Sequence, residues 1–124
     1  MLITPLKTLQ LSSWKQLGDY LHQTQLLGSI QSTLYWDQNT SMPSSGSSWR
    51  GEQLSLLAKY LHTRQTSEYF QTLLNQAKDE FIRQKESGDL DQVKVLERSR
   101  NIELLEQDLA RQISLDSDLI VQLA

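Results

Sequence analysis

The sequence predicts an all-α fold, an antiparallel, bundle-like arrangement of about four long helices with a short fifth at the C-terminus. Three observations carry this expectation. Pro5 and Pro43 are the only prolines, so the last 81 residues contain none. Twenty-three leucines and fifteen glutamines accompany few β-branched residues, a bias toward helix over strand. Apolar residues recur at three- and four-residue steps through most of the chain.

The first helix is expected from about Thr8 to Asp37, where Trp14, Leu17 and Leu21, then Leu27, Ile30 and Leu34, recur at three- and four-residue steps. Gly18 and Gly28 interrupt it, each at about 1 kcal/mol relative to Ala, and a kink or a close helix contact near Gly28 would account for them. A turn-rich connection follows from about Gln38 to Ser47, and Ser45, Ser47 or Ser48 could cap the next helix. That helix spans about Trp49 to Arg64, with Leu54, Leu57 and Leu61 on one face. Thr66 is the expected cap of a third helix, with Glu68 favourable to its dipole and an apolar stripe of Phe70, Leu73, Leu74, Ala77 and Phe81. Asp79 and Arg83 are spaced to pair on its outer side. Gly88 suits a helix C-terminus and Asp89 the next N-cap. The fourth helix is expected from about Leu90 to Gln112, with Val95, Ile102, Leu105 and Leu109 inward, and Asp116 would open the fifth.

At 124 residues the chain has the length of one domain, expected over residues 1–124, and room for one modest core. Net charge is −3, concentrated in the second half, where both signs mix along helical spacings as on a solvated face. No basic patch is present, which disfavours nucleic acid and anionic membranes as partners. The absence of cysteine excludes disulfides, a thiol nucleophile and thiolate metal sites. Without an 18-residue apolar run or a signal-peptide-like start, a cytoplasmic location is the default expectation.

Chemistry-bearing motifs are scarce. His22 and His62 are the only histidines and neither belongs to an H-E-x-x-H, so the residues give no metal or cofactor site. There is no G-x-S-x-G, no glycine-rich phosphate loop and no carboxylate pair distinct from the charged helix faces. No catalytic residue is assigned.

One stretch stands apart. "LYWDQNTSMPSSGSSWRGEQLSLLAKYLH", residues 34–62, holds two of the three tryptophans, one of the prolines and two of the five glycines. It resembles the N-terminal signature of the carboxypeptidase Taq family of zinc metallocarboxypeptidases, carried here by Trp36, Asp37, Thr40, Met42, Pro43, Arg50, Glu52, Gln53, Leu54, Leu57, Leu61 and His62. The segment "LERSRNIELLEQDLARQISLDSDLIVQLA" follows the family's later pattern more loosely, with Leu115-Asp116-Ser117 where relatives often have a proline.

The resemblance implies that full-length relatives are helical enzymes with a deep cleft. In them an H-E-x-x-H helix and a downstream glutamate hold zinc, and residues are released singly from peptide C-termini. None of the zinc ligands, the base or the substrate-binding residues lies in the matched region. The chain is therefore expected to be a non-catalytic N-terminal wall or lid segment, or a truncated relative, with zinc and peptide substrate implied only for the full-length enzyme. Its partner would be the missing catalytic half, or a second copy. The alternative is a free-standing helical interaction module.

The signature residues themselves read as structural. Trp36 is expected as a buried anchor. Asp37 is a cap or a partner for Arg50, and Met42-Pro43 should set an extended exit from the first helix. The unfinished apolar run "DLIVQLA" suggests an exposed apolar patch and self-association.

Overall fold

The computed structural model describes residues 12–40 and 43–123, with side chains through residue 115. Among the described residues four α-helices follow one another: α1 (Ser13–Thr40), α2 (Ser47–Thr66), α3 (Glu68–Ser87) and α4 (Gln92–Leu123), with a 3₁₀ turn, Ser44–Gly46, before α2. The fold is all-α and bundle-like, as the periodicity predicts. No helix among the described residues is long and apolar enough to cross a membrane.

The ends of the helices follow from local chemistry. Ser12 caps α1 by accepting from the Lys15 amide, and Glu80 of α3 accepts the Ser13 amide at 2.6 Å. No serine side chain caps α2, contrary to expectation. The 3₁₀ turn feeds directly into it, and the Ser47 hydroxyl donates to the Ser44 carbonyl. The cap of α3 is Ser67 rather than Thr66, accepting from the Phe70 amide at 3.1 Å. Thr66 is still the last residue of α2, with its hydroxyl donating to the His62 carbonyl.

Gly88 ends α3 with a left-handed φ of 77°, which the absence of a Cβ permits, and its amide closes onto the Lys85 carbonyl. Asp91, not Asp89, opens α4, accepting from the Lys94 amide at 2.8 Å. Asp89 is occupied by the Ser87 hydroxyl and by its own amide bond to the Gln84 carbonyl.

Two further expectations change. α4 runs unbroken through Asp116, so the fifth helix is the end of the fourth, in keeping with the absence of glycine or proline there. Asp79–Arg83 is not among the ion pairs of the described residues. Helix α1 passes through Gly18 and Gly28 without interruption, and a Cβ at Gly28 would meet nothing within 4 Å, so no close contact explains that glycine. The expected start of α1 at residues 8–11 lies outside the described residues.

The pairings give the path of the chain. α1 runs antiparallel to α3 over its first turns, where Ser13 meets Glu80 and Tyr20 meets Phe70. It then runs antiparallel to α2, where Tyr20 meets Arg64 and Leu34 meets Arg50. Thus α2 and α3 travel in the same sense, jointed at Ser67. α4 returns along α3, where Arg98 meets Gln84 and Lys78 meets Glu106, and reaches α2 where Gln112 meets His62.

The core lies where α1, α3 and α4 converge. Leu17, Phe70, Leu73, Leu74 and Ala77 are buried, with Trp14, Tyr20, Leu21, Leu105 and Leu109 packed around them. The α3 stripe read from the sequence is buried in full, Phe81 included, because this helix is covered on two sides. The far half of α1 meets only α2, and there burial is incomplete: Ile30, expected inside, is half exposed.

Candidate functional site

The signature residues gather at the turn joining α1 to α2. At the end of α1 the Thr40 hydroxyl donates to the Trp36 carbonyl at 2.7 Å, an internal helix bond. Pro43 is extended, with φ −61° and ψ 147°, as the expected exit requires. Met42 lies outside the described residues. The Gly46 amide closes on the Pro43 carbonyl at 3.0 Å and turns the chain into α2.

One turn into α2, Arg50 reaches back across the hairpin. Its Nη1 donates to the Leu34 carbonyl at 2.9 Å and to Asp37 Oδ2 at 3.0 Å, and its Nε donates to Gln53 Oε1 at 2.9 Å. The guanidinium is the right group for this task, since its planar fork supplies several donors in fixed directions. Arg50 is only 16% exposed and Asp37 46%, so the pair sits at the edge of the helix–helix seam. Three of the signature residues, Asp37, Arg50 and Gln53, are thereby brought together as a clasp between α1 and α2.

Two others are not brought in. Glu52 points to solvent. Trp36 is 71% exposed, so it is not the buried anchor expected. The reason is helical geometry. With Asp37 turned toward Arg50, Trp36 lies about 100° further round the helix. It lines an open groove of about 800 Å³ on the side of the hairpin, together with Tyr35, Gln31, Asn39, Leu54 and Ala58.

A second constellation was not legible in the sequence. Arg64 donates from Nε to Thr24 Oγ1 at 2.9 Å and from Nη2 to the Tyr20 carbonyl at 2.8 Å, and its guanidinium lies 3.8 Å from the Tyr20 ring centroid. The Tyr20 hydroxyl donates back to the Arg64 carbonyl at 2.7 Å. Tyr20 also stacks on Phe70, with ring centroids 5.7 Å apart. The two residues are 44 positions apart on different helices, and neither belongs to a motif. The only advance signal is that Arg64 sits in the last turn of α2, where a cation is favourable.

His62 uses Nδ1 to meet Gln112 Oε1 at 2.9 Å, while His22 is exposed on α1. Among the described residues no group of three or more His, Cys, Asp or Glu side chains is placed to hold a metal ion. The described residues thus do not bring together the three or more such donors that a protein zinc site uses.

In a comparison with protein families, the family model of the carboxypeptidase Taq (M32) metallopeptidases aligns with residues 16–124. No curated protein and no solved structure matches the chain. The alignment runs from the first turn of α1 to the end of the chain and includes the whole clasp, and on that extent the chain belongs to the carboxypeptidase Taq (M32) metallopeptidase family.

Proposed function

We propose that this chain supplies the N-terminal helical wall of a carboxypeptidase Taq-type zinc metallocarboxypeptidase and carries no step of peptide hydrolysis itself. The observation that carries this reading is what the signature residues do. Asp37, Arg50 and Gln53 are engaged with one another and with the Leu34 carbonyl, in a contact that sets how α1 and α2 cross. A guanidinium that spends Nε and Nη1 on Gln53, Asp37 and the Leu34 carbonyl serves the scaffold first. Zinc and the base belong in this reading to a catalytic half with its own H-E-x-x-H, and the chain itself takes neither. The groove beside Trp36 and Tyr35 is the surface that would face that half, because it is apolar, open and adjacent to the clasp.

A second reading is a free-standing interaction module. It draws support from the buried cluster of Leu17, Phe70, Leu73, Leu74 and Ala77, which the chain forms from its own helices.

The test is an assay of the isolated chain supplied with zinc, following release of C-terminal residues from an unblocked peptide. No release above buffer is expected. Release that a chelator abolishes would contradict the proposal.

A further inference from the structure

Neither a kink nor a close contact accounts for Gly28: α1 passes through it without interruption, and a Cβ there would meet nothing within 4 Å. The open space it borders is a cavity of about 520 Å³, a volume within the range of small-ligand pockets. Glycine keeps that space clear at a cost of about 1 kcal/mol in helix stability. The floor of the cavity is apolar, with Leu21, Leu61, Phe70 and Leu105 contributed by one helix each.

The wall is polar and biased toward acceptors. The hydroxyls of Thr24, Ser29 and Ser32 have each given their proton to a carbonyl of α1, those of Tyr20, Leu26 and Gly28, and so offer lone pairs to an occupant. Gln25 and Gln65 make no hydrogen bond among the described residues, which leaves their carboxamide oxygens available. Among the described residues Asp108 is the one charged side chain on the wall. Arg111 engages its Oδ1 but is itself 70% exposed, and Oδ2 is left for another donor. The neighbouring guanidinium, Arg64, is committed to Thr24, to the Tyr20 carbonyl and to the Tyr20 ring.

We propose that this cavity is a binding site for a small organic cation, a primary ammonium or guanidinium group on a short aliphatic stem. The cationic head takes Asp108 together with the hydroxyl and carboxamide oxygens, each a partner for one of its N–H donors. The stem lies on the leucine floor and displaces water from it. An anion would face lone pairs and a like charge, and a purely apolar molecule would leave the polar wall without partners. Because the floor draws a residue from every helix, an occupant braces all four and stabilises the folded chain by mass action.

The test is thermal unfolding of the full 124-residue chain in agmatine or n-butylammonium at about 20 mM, against sodium chloride of equal ionic strength. Each cation should raise the midpoint by about 3–6 °C, the size that a site of millimolar affinity gives. Sodium butyrate and n-butanol at the same concentration should move it by less than about 1 °C. Asp108→Asn should abolish the rise, and because the pair with Arg111 is exposed the variant keeps its fold. Gly28→Leu fills the cavity and should also abolish the rise, while its unliganded midpoint stays level or increases, since leucine is the better helix former. Gly18→Ala, in the separate cleft beside Trp14 and Leu104, should keep the rise. Four results would overturn the proposal: no rise with either cation, an equal rise with butyrate or n-butanol, a rise that survives Asp108→Asn or Gly28→Leu, or its loss in Gly18→Ala.

Discussion

Arg64 and Tyr20 hold each other from both ends: the tyrosine hydroxyl donates to the arginine carbonyl at 2.7 Å, and the guanidinium donates to the tyrosine carbonyl at 2.8 Å. The contact lies where α1 passes from α3 to α2, beside the Ser67 joint, and Ser67 Oγ is itself 3.1 Å from the Tyr20 hydroxyl. It therefore fixes the one place where two helices of like direction are hinged together.

Removing this contact should be costly. Arg64→Ala is expected to destabilise the chain by about 2–3 kcal/mol, the range for charged hydrogen bonds lost at a partly buried site. Arg64→Lys should recover less than half, because one ammonium cannot serve Thr24 and the Tyr20 carbonyl in the fixed geometry of the fork. Tyr20→Phe keeps the ring stacked on Phe70 and should cost only about 1 kcal/mol. Urea denaturation of the three variants measures the order.

The clasp at the turn makes an asymmetric prediction. Arg50→Ala removes bonds to Leu34, Asp37 and Gln53 together and should cost about 1.5–3 kcal/mol. Asp37→Asn removes one half-exposed partner and should cost less than about 1 kcal/mol. Thermal unfolding should rank Arg50→Ala clearly below Asp37→Asn.

Trp36→Ala should change stability by less than about 1 kcal/mol. A buried tryptophan at that position would cost about 3–5 kcal/mol on truncation, but Trp36 is largely exposed. A loss near the upper figure, measured by chemical denaturation, would show that the side chain is covered in solution.

What could be read from the sequence depended on how completely each helix is surrounded. The α3 stripe was legible to the residue, because Phe70, Leu73, Leu74, Ala77 and Phe81 pack against helices on two sides and a 3.6-residue period captures that environment. The far half of α1 meets one neighbour only, so Ile30 carries the same period without being buried. Trp36 was misread for a related reason: bulk and aromaticity suggested an anchor, while its orientation was settled by Asp37 turning to Arg50. That pairing was legible because opposite charges flank a short turn. The Arg64–Tyr20 contact was not, since two residues 44 positions apart announce themselves only once the helices are packed. The helix caps were displaced by one or two residues, at Ser67 and Asp91, where several serines, threonines and aspartates compete for the same role.

At the core, Leu73→Ala should destabilise by about 2–5 kcal/mol, since Leu73 is buried in the cluster with Leu17, Phe70, Leu74 and Ala77. Gly88→Ala should cost about 1 kcal/mol because the alanine must adopt the left-handed conformation that ends α3. Hydrogen exchange after Leu73→Ala should rise throughout α3, whereas after Gly88→Ala it should rise chiefly at the α3–α4 junction.

The proposed role as the family's helical wall, with the chemistry residing elsewhere, can be tested in a working enzyme. The most direct measurement exchanges residues 16–124 for the matching segment of an active carboxypeptidase Taq-type enzyme and follows zinc-dependent release of C-terminal residues. A chimera that binds zinc and retains activity, lowered by Arg50→Ala, is expected, while the isolated chain shows none. A folded, zinc-loaded chimera without activity, or an isolated chain that cleaves peptides, would contradict it.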